Sequence, residues 1–169
     1  ILQAEVEAIR ASGEGRFVTV RGRRRVGKSW LVEEFIDRSR LPHVFFAASK
    51  HTPERELTLL AEKIAGSSLP SRGVAQGGIV FPTWEAALIT AAAGATREQP
   101  SVIVIDEFPW LLESRSSGEV EGSVNTAWER ALSRQPVLLI LVGSDLGMMS
   151  ALTEYGRPLH QRPTRELVL

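Results

Sequence analysis

Eight consecutive residues near the amino terminus have the types and spacing that hold phosphate groups. Residues 22–29 run Gly-Arg-Arg-Arg-Val-Gly-Lys-Ser and fit the pattern G-x-x-x-x-G-K-[S/T] at every fixed position. In such a loop, backbone N–H groups and the positive end of the following helix face the β-phosphate. Lys28 would reach the β- and γ-phosphates, and the Ser29 hydroxyl would bind Mg²⁺. The sequence therefore predicts a phosphate site made by Gly22, Arg23, Arg24, Arg25, Val26, Gly27, Lys28, Ser29 and the adjoining Trp30.

Two adjacent carboxylates supply a second set of groups. Asp106 and Glu107 follow the apolar run 102–105, which fits a strand buried on both faces of a parallel sheet. Asp106 would hold Mg²⁺ opposite Ser29, and Glu107, just past the strand end, would orient and deprotonate an attacking water. The pair alone could be a solvated strand end, since many strands end in acids. Together with the phosphate loop, it predicts metal-assisted phosphoryl transfer to water.

Three further polar residues are candidates for the rim of the site. Ser144 and Asp145 follow a second apolar strand, and ligands in such sheets bind at the carboxyl ends of the strands. Either residue could sense the γ-phosphate, or Ser144 could cap the next helix. Arg157 could contact a phosphate as an arginine finger, in cis or from a neighbouring subunit, or it could form a structural ion pair.

The elements that must position these groups alternate along the chain. Short β-branched or apolar runs predict strands at about 16–21, 43–48, 102–107, 137–142 and 166–169. Apolar residues at helical spacing predict helices at about 1–12, 28–40, 53–65, 83–93, 124–134 and 146–155. Residues 67–82 and 114–122 are predicted loops, the second of them mobile. This alternation predicts an α/β fold with a mainly parallel five-stranded sheet, and residues 1–169 as one domain.

Composition narrows the classes of protein. The formal net charge is zero, so bulk electrostatics gives no argument for a nucleic acid or membrane partner. The chain has no cysteine, which excludes disulfides, thiol nucleophiles and cysteine metal sites. With no signal peptide and no apolar run of membrane-spanning length, a cytoplasmic location is expected. The start at Ile1 and the apolar end at Leu169 suggest a domain excised from a longer chain.

The motifs resemble those of the archaeal-type ATPases, prokaryotic P-loop ATPases close to the AAA+ and STAND classes. The resemblance rests on residues 22–29, on the Val-Ile-Asp-Glu-Phe-Pro-Trp-Leu segment 104–111, on Val-Gly-Ser at 142–144 with Met148-Met149, and on Tyr-Gly-Arg at 155–157. It implies a three-layer fold with strand order 5-1-4-3-2 and helices on both faces. It also implies ATP with Mg²⁺, and it places Ser144 or Asp145 between Lys28 and Glu107. The family's N-terminal adenine motif is reduced here to the helix 1–12, and a helical lid with a winged-helix part would have to follow Leu169.

Three functions remain open at this point. The first is ATP hydrolysis coupled to a conformational change, with Glu107, Lys28, Ser144 and Arg157 as catalytic groups. The second is a nucleotide-gated switch or scaffold with negligible hydrolysis, and the third is a small-molecule kinase, for which a water-directed Glu107 would be wasteful. A GTPase is disfavoured because no N-K-x-D motif is present. Expected partners are ATP and ADP, a second copy that supplies an arginine, and proteins bound through further domains, with DNA binding undetermined.

Overall fold

The computed structural model describes residues 1–113 and 117–169. The strands are β1 (Arg16–Arg21), β2 (His43–Ala47), β3 (Ser101–Asp106), β4 (Val137–Gly143) and β5 (Arg165–Val168). The helices are α1 (Leu2–Ser12), α2 (Lys28–Ser39), α3 (Pro53–Ala65), α4 (Arg72–Ala75), α5 (Trp84–Ala92), α6 (Pro109–Leu112), α7 (Ser117–Arg130) and α8 (Leu146–Ala151), with a 3-10 turn at Leu132–Arg134. All five predicted strands are therefore present.

The five strands form one parallel sheet in the order β2-β3-β4-β1-β5. This is the predicted order 5-1-4-3-2, with β4 between the strand of the phosphate loop and the strand that ends in Asp106. In register, Arg21 pairs with Gly143 and Ala47 pairs with Asp106. The carboxyl ends of four strands consequently meet at one edge of the sheet.

The central strands are apolar on both faces because helices cover both faces of the sheet. Every residue of β3 and β4 is buried. Alternate residues of these strands belong to two separate clusters, one with α1 and α2 and the other with α3, α5 and α7. This three-layer arrangement explains why these strands are continuous apolar runs rather than alternating ones.

Local sequence signals set the starts of two long helices. The side chains of Thr52 and Thr83 accept hydrogen bonds from Arg55 N–H and Ala86 N–H, so they cap α3 and α5. Trp84 is buried and lies edge-on to Phe46, so it anchors the packing of α5 against β2.

Both predicted loops need correction. Residues 67–82 include the short helix α4, and their buried side chains Leu69, Ala75 and Phe81 tie this segment to the core. Of the predicted mobile loop 114–122, residues 114–116 lie outside the described residues and 117–122 form the first turns of α7. Val120 is buried there, and this apolar contact holds the turns despite the Ser and Gly residues. No helix among the described residues has the length and apolar character needed to cross a membrane.

Candidate functional site

The phosphate-loop segment joins β1 to α2 and uses its two glycines for different reasons. Gly27 has φ 92°, in the left-handed region that side chains disfavour, although a Cβ there would meet no atom of the described residues within 4 Å. Gly22 is buried, and a Cβ on it would lie 2.6 Å from the Leu169 carbonyl oxygen. One glycine thus permits the turn into α2, and the other permits the close approach of the chain after β5.

Lys28 is held inside the curve of the loop. Its side chain is buried, and Nζ donates hydrogen bonds of 2.9 Å to the carbonyl oxygens of Gly22 and Arg23. The ammonium group is therefore fixed at the first turn of α2, where the helix dipole also favours an anion.

Ser29 and Asp106 are brought together from opposite ends of the sequence. The Ser29 hydroxyl donates a 2.6 Å hydrogen bond to Asp106 Oδ2. Burial raises the pKa of the Asp106 carboxyl above its ordinary value, and the Ser29 hydrogen bond opposes this only in part. A hydroxyl and a carboxylate oxygen side by side are hard ligands of the kind that Mg²⁺ accepts, and a buried carboxylate gains from a cation beside it. The residues present therefore fit a magnesium ion.

Glu107 lies one residue beyond β3 in a strained backbone conformation. Its φ is 50°, which is uncommon for a residue with a side chain. Its N–H donates to Asp106 Oδ1 at 2.8 Å, so the turn that redirects the chain also fixes the Asp106 carboxylate. The half-buried Glu107 side chain faces the same cleft as Lys28 and Ser29.

Ser144 contacts Glu107 directly. Its hydroxyl lies 2.9 Å and 3.2 Å from the two carboxylate oxygens of Glu107, to which it donates. Asp145, not Ser144, caps α8, because its side chain accepts a hydrogen bond of 2.9 Å from Met148 N–H. The alternative that Ser144 is the helix cap is therefore wrong, and Ser144 rather than Asp145 faces the carboxylate of the site.

Arg157 forms an ion pair outside this cluster. Its Nη2 lies 2.6 Å from Oε2 of Glu121, a side chain on α7 that is only 3% exposed. Burial raises the pKa of Glu121, and the Arg157 guanidinium counteracts that effect. The structural ion pair, one of the two sequence-based interpretations, is thus present, whereas Arg157 does not line the cleft described next.

Lys28, Ser29 and Glu107 border an open cleft of about 530 Å³, a size suited to a small ligand. Its lining consists of residues from the phosphate loop, α2, the turn after β3 and α6, namely Arg24, Arg25, Gly27, Lys28, Ser29, Trp30, Glu107 and Trp110. Arg23 and Val26 are exposed outside this lining, and Trp30 is 66% exposed at its edge. Sequence reasoning missed Trp110, which follows Glu107 by three residues on α6.

An apolar groove lies on the other side of the phosphate loop, and sequence reasoning missed it as well. Its volume is about 320 Å³, and its walls come from α1, α2 and the end of β5, with Leu31, Phe35, Leu167 and Leu169 as the main apolar contributors. The contact between Leu169 and Gly22 places this groove directly beside the loop. Leu31 and Phe35 have helical spacing in the sequence, but the sequence alone gives no sign that β5 would reach them.

Three solved structures illustrate what this chain is similar to. A Walker-type ATPase from Pyrococcus abyssi is 19% identical with a TM-score of 0.57, over 99% of this chain and 53% of its own. The Aeropyrum pernix ORC2 protein in ADPNP–ADP complexes is 19% identical with a TM-score of 0.62, over 100% of this chain and 47% of its own. The Aeropyrum pernix ORC1 protein in complex with DNA is 17% identical with a TM-score of 0.57, over 99% and 43%.

The chain thus has the fold of the P-loop ATPases, and the resemblance to archaeal-type ATPases is confirmed at the level of the fold. It spans about half the length of these structures. No protein-family model matches the chain, and a search of curated proteins gives no significant match.

Proposed function

We propose that residues 1–169 are one ATPase core domain that binds ATP with Mg²⁺, hydrolyses it and couples the nucleotide state to a conformational change. The observation that carries this proposal is the continuous series Ser29–Asp106–Glu107–Ser144. In it, Ser29 and Asp106 supply two oxygens of the kind that bind Mg²⁺. The adjacent Glu107 carboxylate is oriented by the Ser144 hydroxyl. A nucleotide-binding scaffold needs Ser29 and Asp106 for the metal ion, but hydrolysis also needs the oriented Glu107 carboxylate.

Different residues of the chain would have different roles in phosphoryl transfer. Lys28 would exchange its two carbonyl partners for phosphate oxygens, which are stronger acceptors because they are charged. Ser29 and Asp106 would hold Mg²⁺, which neutralises charge on the phosphate oxygens when it is bound. The Glu107 carboxylate would accept a proton from the attacking water, and Ser144 fixes the direction in which that carboxylate points.

The apolar groove supports a nucleoside triphosphate rather than a simple polyphosphate. It adjoins the phosphate loop through the Leu169–Gly22 contact and offers Leu31 and Phe35 to a flat apolar group. We place the adenine base there, since most of its binding would come from apolar contact area.

A switch with negligible hydrolysis is the second candidate, and one observation favours it. Both oxygens of the Glu107 carboxylate lie within hydrogen-bond distance of Ser144, so the proposed base is already engaged. A base held in this way would act slowly until Ser144 moved, and this motion would link the nucleotide to the end of β4. A small-molecule kinase has no comparable observation in its favour, and transfer of labelled γ-phosphate only to water would exclude it.

Measurements of binding and hydrolysis on matched variants separate these functions. We expect Mg-ATP to raise the thermal unfolding temperature of the unmodified chain and of Glu107→Gln, but not of Lys28→Ala. Steady-state and single-turnover assays should show hydrolysis that Glu107→Gln lowers by at least about a hundredfold, the lower range for loss of a general base. Equal thermal shifts in Lys28→Ala and the unmodified chain would contradict the site. A slow rate that Glu107→Gln leaves unchanged would favour the switch.

Partners of the whole protein are also proposals. Aeropyrum pernix ORC1 and Drosophila ORC have structures with DNA. We propose that DNA and protein partners other than a second copy of this chain bind through regions outside residues 1–169. We also propose that Arg157 can act on the cleft of a second copy after it leaves Glu121, which would make hydrolysis depend on protein concentration.

A further inference from the structure

Two cations from different loops meet on the indole ring of Trp110. Arg24 Cζ, from the phosphate loop, lies 5.8 Å from the ring centroid, and Lys50 Nζ, from the loop between β2 and α3, lies 4.9 Å from it. Both distances are in the range of cation–π contacts. The ring thus joins the two loops on either side of Asp106 and Glu107.

The loop that carries Lys50 is built to hold it in place. Lys50 has φ 59°, an uncommon conformation for a residue with a side chain. The buried Glu56 carboxylate accepts hydrogen bonds from the N–H groups on either side of it, Ser49 at 2.9 Å and His51 at 2.8 Å. A buried carboxylate that binds the backbone of one surface loop indicates that the position of Lys50 is important.

Two like charges on one ring repel each other, and among the described residues only Lys50 of the two cations pairs with a carboxylate. Its Nζ lies 2.9 Å from Glu113, in a pair whose side chains are about half exposed. Such surface pairs hold a side chain weakly, so the ammonium can leave Glu113 for a stronger anion. The arrangement puts two positive charges at one ring, which favours a multiply charged anion beside it.

Trp110 also fixes where that anion would lie. Its backbone N–H donates to the Glu107 carbonyl oxygen at 2.9 Å, and Trp110 lines the cleft with Arg24 and Glu107. Arg24 therefore lines the cleft together with Glu107, and Lys50 lies on the same indole ring outside the lining of the cleft. The proposed hydrolysis brings the terminal phosphate to Glu107, because the water that Glu107 would activate attacks that phosphate.

We propose that Trp110 is a positioning residue that holds Arg24 and Lys50 for the terminal phosphate, so that the site prefers a nucleoside triphosphate to a diphosphate. This inference rests on the proposed function. The indole face restrains two flexible cations without neutralising them, which leaves their charge available to the phosphate.

Titration calorimetry with a non-hydrolysable ATP analogue and with ADP, both with Mg²⁺, tests the proposal. We expect Trp110→Leu to weaken the analogue about fivefold, the factor that corresponds to ~1 kcal/mol of cation–π contact, and to leave ADP unchanged. Trp110→Phe, which keeps an aromatic face, should restore most of the preference. Arg24→Ala and Lys50→Ala should weaken binding of the analogue selectively in the same way, without disturbing the fold. Lys63→Ala, which removes an exposed cation on α3, should not weaken it.

The outcomes separate the two proposals. The Trp110→Leu and Arg24→Ala double variant should lose less than the product of the two single losses, because both changes remove one contact. Unchanged analogue binding in Trp110→Leu, or equal weakening of analogue and ADP, would overturn the role of Trp110 while the nucleotide site stands. Failure of the unmodified chain to bind either nucleotide would overturn the proposed function, and this inference with it.

Discussion

Gly143 ends β4 immediately before Ser144, and a methyl group there should damage both stability and catalysis. A Cβ at this position would lie 2.6 Å from Cγ and Sδ of Met149 and 2.7 Å from Cδ of Pro109. The Met149 side chain is flexible, but the Pro109 ring is rigid and buried. Its neighbour Phe108 is tied to β4 by an N–H hydrogen bond of 2.9 Å to the Val142 carbonyl. Relief of the clash must therefore move α6 away from β4.

The cost of that movement is that of overpacking a core, about 1–3 kcal/mol. For a domain of this size, we expect Gly143→Ala to lower the thermal midpoint by about 2–12 °C. Because Glu107 and Ser144 lie on the two segments that separate, kcat for ATP should fall between about tenfold and a hundredfold. Affinity for ATP should change less, since the phosphate loop lies on β1 and is not displaced.

Gly147→Ala provides a matched control four residues further along. Gly147 is exposed within α8, and a Cβ there would meet nothing closer than Asp145 Oδ1 at 3.4 Å. This variant should be neutral or more stable by up to about 1 kcal/mol, the helix preference of Ala over Gly. Calorimetric unfolding and steady-state hydrolysis of both variants decide the matter. Equal midpoints for the two variants would refute the packing argument, and an unstable Gly143→Ala with unchanged kcat would refute its link to Glu107.

Three further predictions concern Ser144 and the ion pair between Arg157 and Glu121. Ser144→Ala should lower kcat about tenfold or more, the value of one hydrogen bond to a charged group, with nucleotide affinity retained; unchanged kcat would show that Ser144 does not orient Glu107. Arg157→Ala should lower the free energy of unfolding by about 1–3 kcal/mol because it leaves buried Glu121 without its cation. The folded-state pKa of Glu121 is raised, so the free energy of unfolding falls as pH rises through that pKa. Loss of Arg157 should steepen this fall. A pH-independent difference in urea unfolding between Arg157→Ala and the unmodified chain would contradict this prediction.

The fold could be predicted because its signals are local or periodic. The continuous apolar runs at β3 and β4 reveal strands covered on both faces, and Thr52 and Thr83 mark helix starts by their own hydrogen bonds. Strand order is not a local property. It came from the resemblance of the motifs to a known family, and the sheet confirms it.

Sequence spacing could not assign the roles of Ser144, Asp145 and Arg157, because each of these side chains has more than one possible partner. Ser144 and Asp145 are adjacent, and both can cap a helix or face the cleft. The carboxylate of Asp145 reaches Met148 N–H, which leaves the Ser144 hydroxyl to Glu107. Arg157 had two possible partners for the same reason, and Glu121, 36 residues away, occupies it in this structure.

Contacts between distant segments explain what the sequence could not reveal at all. A phosphate loop is recognisable because backbone N–H groups, one lysine and one hydroxyl in a short segment supply most of its contacts. The apolar groove, and the cluster formed by Arg24, Lys50 and Trp110, have no such segment. The groove requires Leu31 and Leu169 to meet across β1, and the cluster requires Arg24 and Lys50 to meet on one ring. In this chain, the groups expected to bind the two inner phosphates are therefore close in sequence. The groups that we assign to the base, and those that we add to Lys28 for the terminal phosphate, are brought together only by the fold, so changes far from the loop should alter nucleotide selectivity more than phosphate binding itself.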